Sequence, residues 1–473
     1  MFSTKKIAYN TIIQIIGKSI NILIGVLAIS YLARYLSPSG FGQYTTVLTF
    51  LQIFSIFLDF GLYIVLLQEL GKPNVDKDKC FSNILTLRII SGLSFFVIAP
   101  LIGFLFPYPM VVKFGILVVS LAFFFNSMIQ VYTSIFQKEM VMHKIIIADT
   151  IAKIIFLLSI IFAISMKGNL LLVLFANNIY SVVFFIIIVL YARKYIKYSW
   201  MIDLVYWKKI VLISWPIAVT TILNLIYFKA DTLILSIFSS DFQVGIYGAP
   251  YKILEVITGL PHMILGLVLP IFTFYYFEKQ KDELNRSIQK MFNLFVVICF
   301  LIVVLFTAEA KGIIYFIAGP KFYLSVDVLK VLIWPTVIIF FSTLFNYAII
   351  AVEKQRKTIL YFFITAFVSL IGYFVFIPRY GYWGAAYMTL FAESLITVFS
   401  YFLLKKFTGW KIDFAIFIRT ALVSGFVYLV LYFININFIL EIFIGTAIYC
   451  ILLVVFKVFS KDLIKELISF KKS

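Results

Sequence analysis

The sequence predicts an all-α integral membrane protein of about fourteen transmembrane helices. Three observations carry that reading. Of 473 residues, 63% are hydrophobic and 13% charged, where a soluble domain is nearer half apolar and a quarter charged; the mean hydropathy is +1.08. Apolar runs of about 20 residues, the length that crosses a hydrocarbon core, recur along the whole chain. Lys and Arg gather in the short stretches between those runs. A β-barrel would show alternating segments of about 10 residues, and these runs are longer and uniformly apolar.

In order, the spans read 7–33, 43–67, 83–106, 114–135, 145–165, 170–192, 210–238, 246–277, 291–308, 329–350, 359–377, 382–404, 414–433 and 438–456. The first follows Lys5 and Lys6, is long for a signal sequence, and carries Asn10, Gln14, Lys18 and Asn21. It reads as a retained helix. The 54 Phe and 29 Tyr suit lipid-facing surfaces and the membrane interface.

The net charge of +19 would suggest nucleic acid in a soluble chain. Here it reads as a positive-inside bias, and no nucleic-acid partner is expected. With the N-terminus cytoplasmic, about 27 of the 40 Lys and Arg fall on the cytoplasmic side and about 7 outside. Both termini are therefore expected in the cytoplasm. Cys80, Cys299 and Cys450 lack metal-ligand spacing, and neither His143 nor His262 sits in a motif. No metal, cofactor or catalytic residue is expected. The loops expected outside are short, the longest running roughly over 309–328. None has room for a catalytic domain, which favours transport over a membrane-embedded glycan-processing enzyme.

The chain also echoes itself. Gly42-Gln-Tyr44 and Gly245-Ile-Tyr247 each stand where a helix re-enters the membrane from outside, after the first helix of a six-helix block. Two pseudo-symmetric six-helix lobes follow, at 1–200 and 201–405, with two further helices and a cytoplasmic tail at 406–473. Paired repeats of this kind place a transporter's substrate near the bilayer midplane.

Ionisable residues deep in a span are costly and hence candidates for function. Asn10, Gln14, Lys18 and Asn21 share one helix face, as do Thr220, Asn224, Tyr227 and Asp231. Lys18, Asn21, Arg88, Asn224, Tyr227, Lys229 and Lys252 are the expected cavity-lining residues. Asp59, Asp231, Glu255 and Glu393 are the candidates for coupling or gating. Lys252 and Glu255, three apart, and Asp149 and Lys153, four apart, are spaced to pair. Arg88 and Arg419 lie near helix ends, where they are expected to snorkel. Pro261 and Pro270 should bend the eighth helix.

Several motifs carry a family resemblance. They are Tyr31-Leu-Ala-Arg-Tyr-Leu-Ser-Pro-Ser-Gly-Phe-Gly-Gln-Tyr44 and Leu58-Asp-Phe-Gly-Leu62 in the first half. In the second they are Trp215-Pro216, Asp231-Thr-Leu-Ile-Leu235, Val244-Gly-Ile-Tyr247, Tyr251-Lys-Ile253, Pro261 and Leu269-Pro270. Gly319-Pro-Lys-Phe-Tyr323 and Pro378-Arg-Tyr-Gly-Tyr-Trp-Gly-Ala-Ala386 follow. Together the chain resembles the polysaccharide transporters, or O-antigen flippases, of the multidrug/oligosaccharidyl-lipid/polysaccharide exporter superfamily. The resemblance implies alternating access in a bacterial inner membrane, with a polyprenyl-pyrophosphate-linked oligosaccharide as cargo and polysaccharide polymerase or assembly proteins as partners. Coupling to a proton or sodium gradient is a further expectation. A drug or cation exporter and a peptidoglycan-precursor flippase of the same superfamily stand as alternatives.

Overall fold

A computed structural model describes residues 4–72, 75–434, 436–456 and 458, with the side chains of 4–15, 56, 57, 216, 217, 220, 224 and 227 outside that description. Among the described residues every regular element is helical. The order is α1 (Thr4–Phe54), α2 (Ile56–Asp59), α3 (Leu62–Gly71), α4 (Lys77–Leu105), α5 (Met110–Lys138), α6 (His143–Ser165), α7 (Leu170–Ala192), α8 (Leu204–Phe238) and α9 (Asp241–Phe277). Then come α10 (Lys281–Ala308), α11 (Ala310–Ile317), α12 (Ser325–Ala351), α13 (Thr358–Tyr380), α14 (Tyr382–Thr408), α15 (Ala415–Phe433) and α16 (Phe438–Val455).

Twelve stretches of the described residues are long and apolar enough to cross a membrane. One of them holds both arms of α1, joined through a kink at Ser37 (φ 58°). Counting the arms separately and adding the 35-residue α8 gives about fourteen crossings. The expected outside loop at 309–328 is partly structured, with α11 and a short 3-10 turn at Pro320–Phe322.

The helices are apolar on the outside. Along α4, Leu93, Val97, Leu101 and Leu105 recur every four residues and are all exposed, while Ser82, Thr86 and Arg88 are buried. That is the reverse of a soluble helix and suits lipid as solvent. Helix starts are capped in the ordinary way: Asp76 accepts from Lys79 N, Asn169 from Leu172 N and Asp203 from Tyr206 N.

The chain divides into two compact units. Of the described residues, the first comprises those within 4–248, 317–321 and 373–382, and the second those within 249–316, 322–372 and 383–458. In the first, Phe81, Tyr132, Phe136 and Ile188 share one buried cluster. In the second, Phe295 of α10 meets Phe340 of α12 edge to face, and Tyr449 of α16 donates to the Val297 carbonyl at 2.7 Å.

The second crossing departs from the sequence expectation of one helix over 43–67. It breaks at Phe60 (φ 44°) and Gly61 (φ 76°), between α2 and α3. Freed backbone groups inside a membrane must find protein partners. Arg88 provides one: its Nη1 donates to the Leu58 carbonyl, and its Nη2 to the Asp59 carboxylate. Arg88 is fully buried, so it does not snorkel as expected from its place near a helix end. The pull of Asp59 and of the freed carbonyl holds it inside. Replacing Arg88 with Ala should cost about 3 kcal/mol, the low end for breaking a buried pair, by leaving the partly buried Asp59 carboxylate and the Leu58 carbonyl without their donor. Thermal unfolding in detergent measures it. A double change of Arg88→Met and Asp59→Leu should be less damaging than Arg88→Ala alone, and the opposite order would remove the pair from this role.

Candidate functional site

Four of the motif segments meet at one end of the first unit. Gly42 and Gly245 lie backbone to backbone. A Cβ on Gly42 would fall 1.8 Å from the Asp241 carbonyl oxygen, and one on Gly245 would fall 1.8 Å from the Pro38 carbonyl oxygen. Asp241 precedes Gly245 by four residues, and Pro38 precedes Gly42 by four. Each glycine therefore covers the helical turn before the other, and the crossing repeats itself about a local two-fold. One turn further along α9, a Cβ on Gly248 would stand 3.0 Å from Thr45 Oγ1. Small residues permit this approach, and packing then holds the helices in lipid.

Polar contacts surround the crossing. Gln43 Nε2 donates to Asp241 Oδ2 at 2.8 Å. Lys321 Nζ donates to Ser37 Oγ at 3.0 Å, beside the α1 kink. Tyr382 N donates to Gln243 Oε1 at 3.3 Å. The next residue back, Gly381, has φ 56°, and a Cβ there would strike Gln243. The two tyrosines of the echo are buried just beyond. Tyr247 donates to Asp231 Oδ2 at 2.6 Å, and Tyr44 is hydrogen-bonded to Asn177.

The other candidates are scattered. Asn21, expected to line a cavity, is buried between helices: its Nδ2 donates to Asp149 Oδ2 at 2.7 Å, and its Oδ1 accepts from Thr150 at 2.7 Å. Tyr180 donates to Asp149 Oδ1 at 2.8 Å, and Lys153 Nζ lies 3.3 Å from Asp149 Oδ2. Lys18, one turn before Asn21, is exposed, and among the described residues no acid pairs with it. Asp231 is buried and its Oδ1 accepts from both the N–H and the hydroxyl of Thr232. Lys229 is half-buried on the same helix. Asn224 and Tyr227 have side chains outside the described residues. In the second unit, Lys252 and Glu255 pair at 2.9 Å as their spacing predicts, with 15% and 32% of the side chains exposed. Glu393 is buried on α14. His262, exposed, lies beside the Tyr347 ring.

One cluster escaped the sequence reading. Glu309, just past α10, and Glu441, in the first turn of α16, are buried and hydrogen-bonded to each other. Glu441 Oε1 also accepts from Ile436 N at 2.7 Å. Nothing in sequence spacing links residues 132 positions apart. The one available signal was a glutamate inside an otherwise apolar final span.

With this geometry in hand, the fold and sequence can be placed among known proteins. The fold is that of a multi-pass membrane protein of the transporter kind. The structure of "Lipid II flippase MurJ, inward closed conformation" matches it with a TM-score of 0.80 at 14% identity, covering 95% of this chain and 99% of that one. An inward-facing multidrug resistance MATE family transporter matches with a TM-score of 0.64 at 12% identity, covering 82% and 94%. The chain belongs to the polysaccharide biosynthesis protein family, whose model matches residues 7–275; a second model, MatE, matches 216–375. A Staphylococcus aureus relative, "Capsular polysaccharide biosynthesis protein CapF", is 27% identical over 299 residues, 62% of this chain and 74% of its own length. A Shigella dysenteriae relative named "Putative O-antigen transporter" is 22% identical over 402 residues, 82% of this chain and 98% of its own.

Two outcomes follow. Gly42→Leu or Gly245→Leu must part the crossing, at a cost of about 1–3 kcal/mol for overpacking. Gln43→Cys, placed beside it, should then react several-fold faster with a membrane-impermeant maleimide in intact cells; wild-type reactivity would mean that the helices separate freely without the substitution. The second concerns pH. Burial first, and then the contact with Glu441, push the Glu309 carboxyl up to about 8 from 4.5. The folded state thus holds a proton that the unfolded state releases, so stability is lost as pH rises through that window. Thermal midpoints in detergent should fall between about pH 5 and pH 8, and Glu441→Gln should flatten the slope.

Proposed function

We propose that the protein flips a polyprenyl-pyrophosphate-linked oligosaccharide from the cytoplasmic to the outer leaflet of a bacterial inner membrane by alternating access. The observation that carries the reading is the Gly42–Gly245 crossing. In this reading the close backbone contact of two equivalent helix starts, at one end of the first unit, acts as a closure that needs no side-chain plug. Separating those helices opens that end, as alternating access requires. The distribution of Lys and Arg supports a reading with this end outside and both termini in the cytoplasm. The family and the two named relatives support a polysaccharide precursor as cargo.

The cargo brings two phosphates to membrane depth, where cations reduce the cost of their charge. Lys18 and Lys252 are placed to do so, since one is exposed and the other is partly exposed beside Glu255. Lys229 is a third candidate. Coupling to a proton or sodium gradient is assigned to the acids Asp231, Glu255 and Glu393. Asp59 is less suited, being held by Arg88.

The test is transport of a fluorescent lipid-linked oligosaccharide in reconstituted vesicles. Lys18→Ala and Lys252→Ala should each lower the initial rate about tenfold, the effect of 1.4 kcal/mol. Unchanged rates in both would overturn the phosphate role. The MatE match over 216–375 favours one rival, a drug exporter. Drug resistance conferred on a sensitive host, with no flipping in vesicles, would establish that rival instead.

A further inference from the structure

A pocket of about 630 Å³ opens on the second unit, between α10, the start of α12 and α15. Its length follows from the helices. The lining residues of α10 run from Phe300 to Ala308, about 12 Å at 1.5 Å per residue, and those of α15 from Ala421 to Tyr432. The lining mixes apolar and polar groups. Val304 of α10 is buried and Gly425 of α15 is exposed, and the hydroxyls of Thr307 and Ser424 line the pocket too. A Cβ on Gly425 would meet nothing within 4 Å, so the wall leaves open space there. The charged lining residues are Lys311, in the first turn of α11, and Lys330, in the second turn of α12, with Tyr432 at the end of α15.

The flank of α15 outside the pocket is apolar and exposed, at Leu422, Leu429 and Phe433, so the opening faces lipid. Lipid tails fill apolar space on such a surface. The mouth decides which lipid. Lys330 lies 3.0 Å from Asp327, an exposed pair with 46% and 62% of the side chains accessible, and such pairs are weak. Lys311 lies over the Tyr315 ring at 5.7 Å. Two lysines and one aspartate leave a single positive charge at the mouth, at interface depth marked by Trp334 and Tyr432. A phosphodiester headgroup with one negative charge matches it.

We infer that this pocket binds one anionic glycerophospholipid, its phosphate at Lys311 and Lys330 and an acyl chain over Gly425. The site is separate from the cargo route proposed above and does not depend on it. Phosphatidylglycerol is the simplest lipid of that class.

Trp334 lines the pocket and reports on it. The full chain is placed in phosphatidylcholine nanodiscs with brominated phosphatidylglycerol or brominated phosphatidylcholine. The difference in quenching between the wild type and Trp334→Phe isolates the signal of Trp334. Brominated phosphatidylglycerol should quench it at lower mole fraction than brominated phosphatidylcholine. Each of Lys311→Ala and Lys330→Ala should cut that preference about fivefold, from about 1 kcal/mol per basic residue at a membrane surface. Gly425→Leu should fill the open space beside it and reduce quenching by both lipids. Equal quenching by the two lipids in the wild type, or a preference that survives the double lysine change, overturns the inference. So does displacement of brominated phosphatidylglycerol by polyprenyl phosphate better than by unlabelled phosphatidylglycerol, which would give the pocket to the cargo. No transport is measured, so failure here leaves the flipping reading to its own test.

Discussion

The contact on which the rest of the first unit depends is the approach of two peptide backbones, at Gly42 and Gly245. Helices in lipid gain no hydrophobic energy from touching, because lipid tails are as apolar as leucine. What they gain is dispersion and polar contact at short range, and only residues without side chains allow the shortest range. The glycines let the carbonyls of Pro38 and Asp241 sit where a methyl group would otherwise be. Once the backbones are that close, the polar side chains around them can reach across, and Gln43 meets Asp241. The Ser37 kink follows from the same constraint: Lys321 reaches Ser37 where α1 turns. Removing the glycines would thus disperse several hydrogen bonds at once, none of which is strong alone.

Arg88 imposes a second constraint of a different kind. A guanidinium cannot lose its proton in a protein, so a buried one must be answered by acceptors. The break at Phe60 and Gly61 supplies them by freeing the Leu58 carbonyl next to the Asp59 carboxylate. Gln130 lies at 3.4 Å as a third. The broken helix and the buried cation are one feature seen from two sides, since either alone would strand polar groups in an apolar surround.

The sequence disclosed this fold more fully than its sites. Crossings are written in long apolar runs, and each run needs no knowledge of its neighbours. Pairs separated by one helical turn are equally local, and Lys252–Glu255 and Asp149–Lys153 form as their spacing implies. The Gly-x-Tyr echo was visible, but its meaning was not, because no one-dimensional pattern says that residue 42 meets residue 245. The same limit explains Asn21. A polar stripe on an apolar helix satisfies its chemistry equally well in water or against another helix. Its position opposite Asp149 and Thr150 is a fact of packing. Arg88 was misjudged for a related reason: distance from a helix end predicts snorkelling only when no partner waits inside. Glu309 follows α10 and Glu441 opens α16, positions where a single acid is ordinary, and only the fold brings the two together.

Exposure then sorts the intramembrane charges by what they can do. Arg88 has no accessible surface and is bound to both a carboxylate and a carbonyl. An incoming phosphate would have to break both contacts and still could not reach it. Lys153 shares its acid with Asn21 and Tyr180, so displacing it would disturb a three-helix network. Lys252 differs. Its ion-pair partner, Glu255, is three residues away on the same helix and has a third of its side chain accessible. A local pair with both side chains partly exposed is easier to open than a network that ties three helices together. Lys18 is exposed, and among the described residues no acid pairs with it. Of the cations the sequence put forward, the ones suited to the proposed phosphate role are therefore those whose existing contacts are cheapest to replace, and depth in the membrane alone does not identify them.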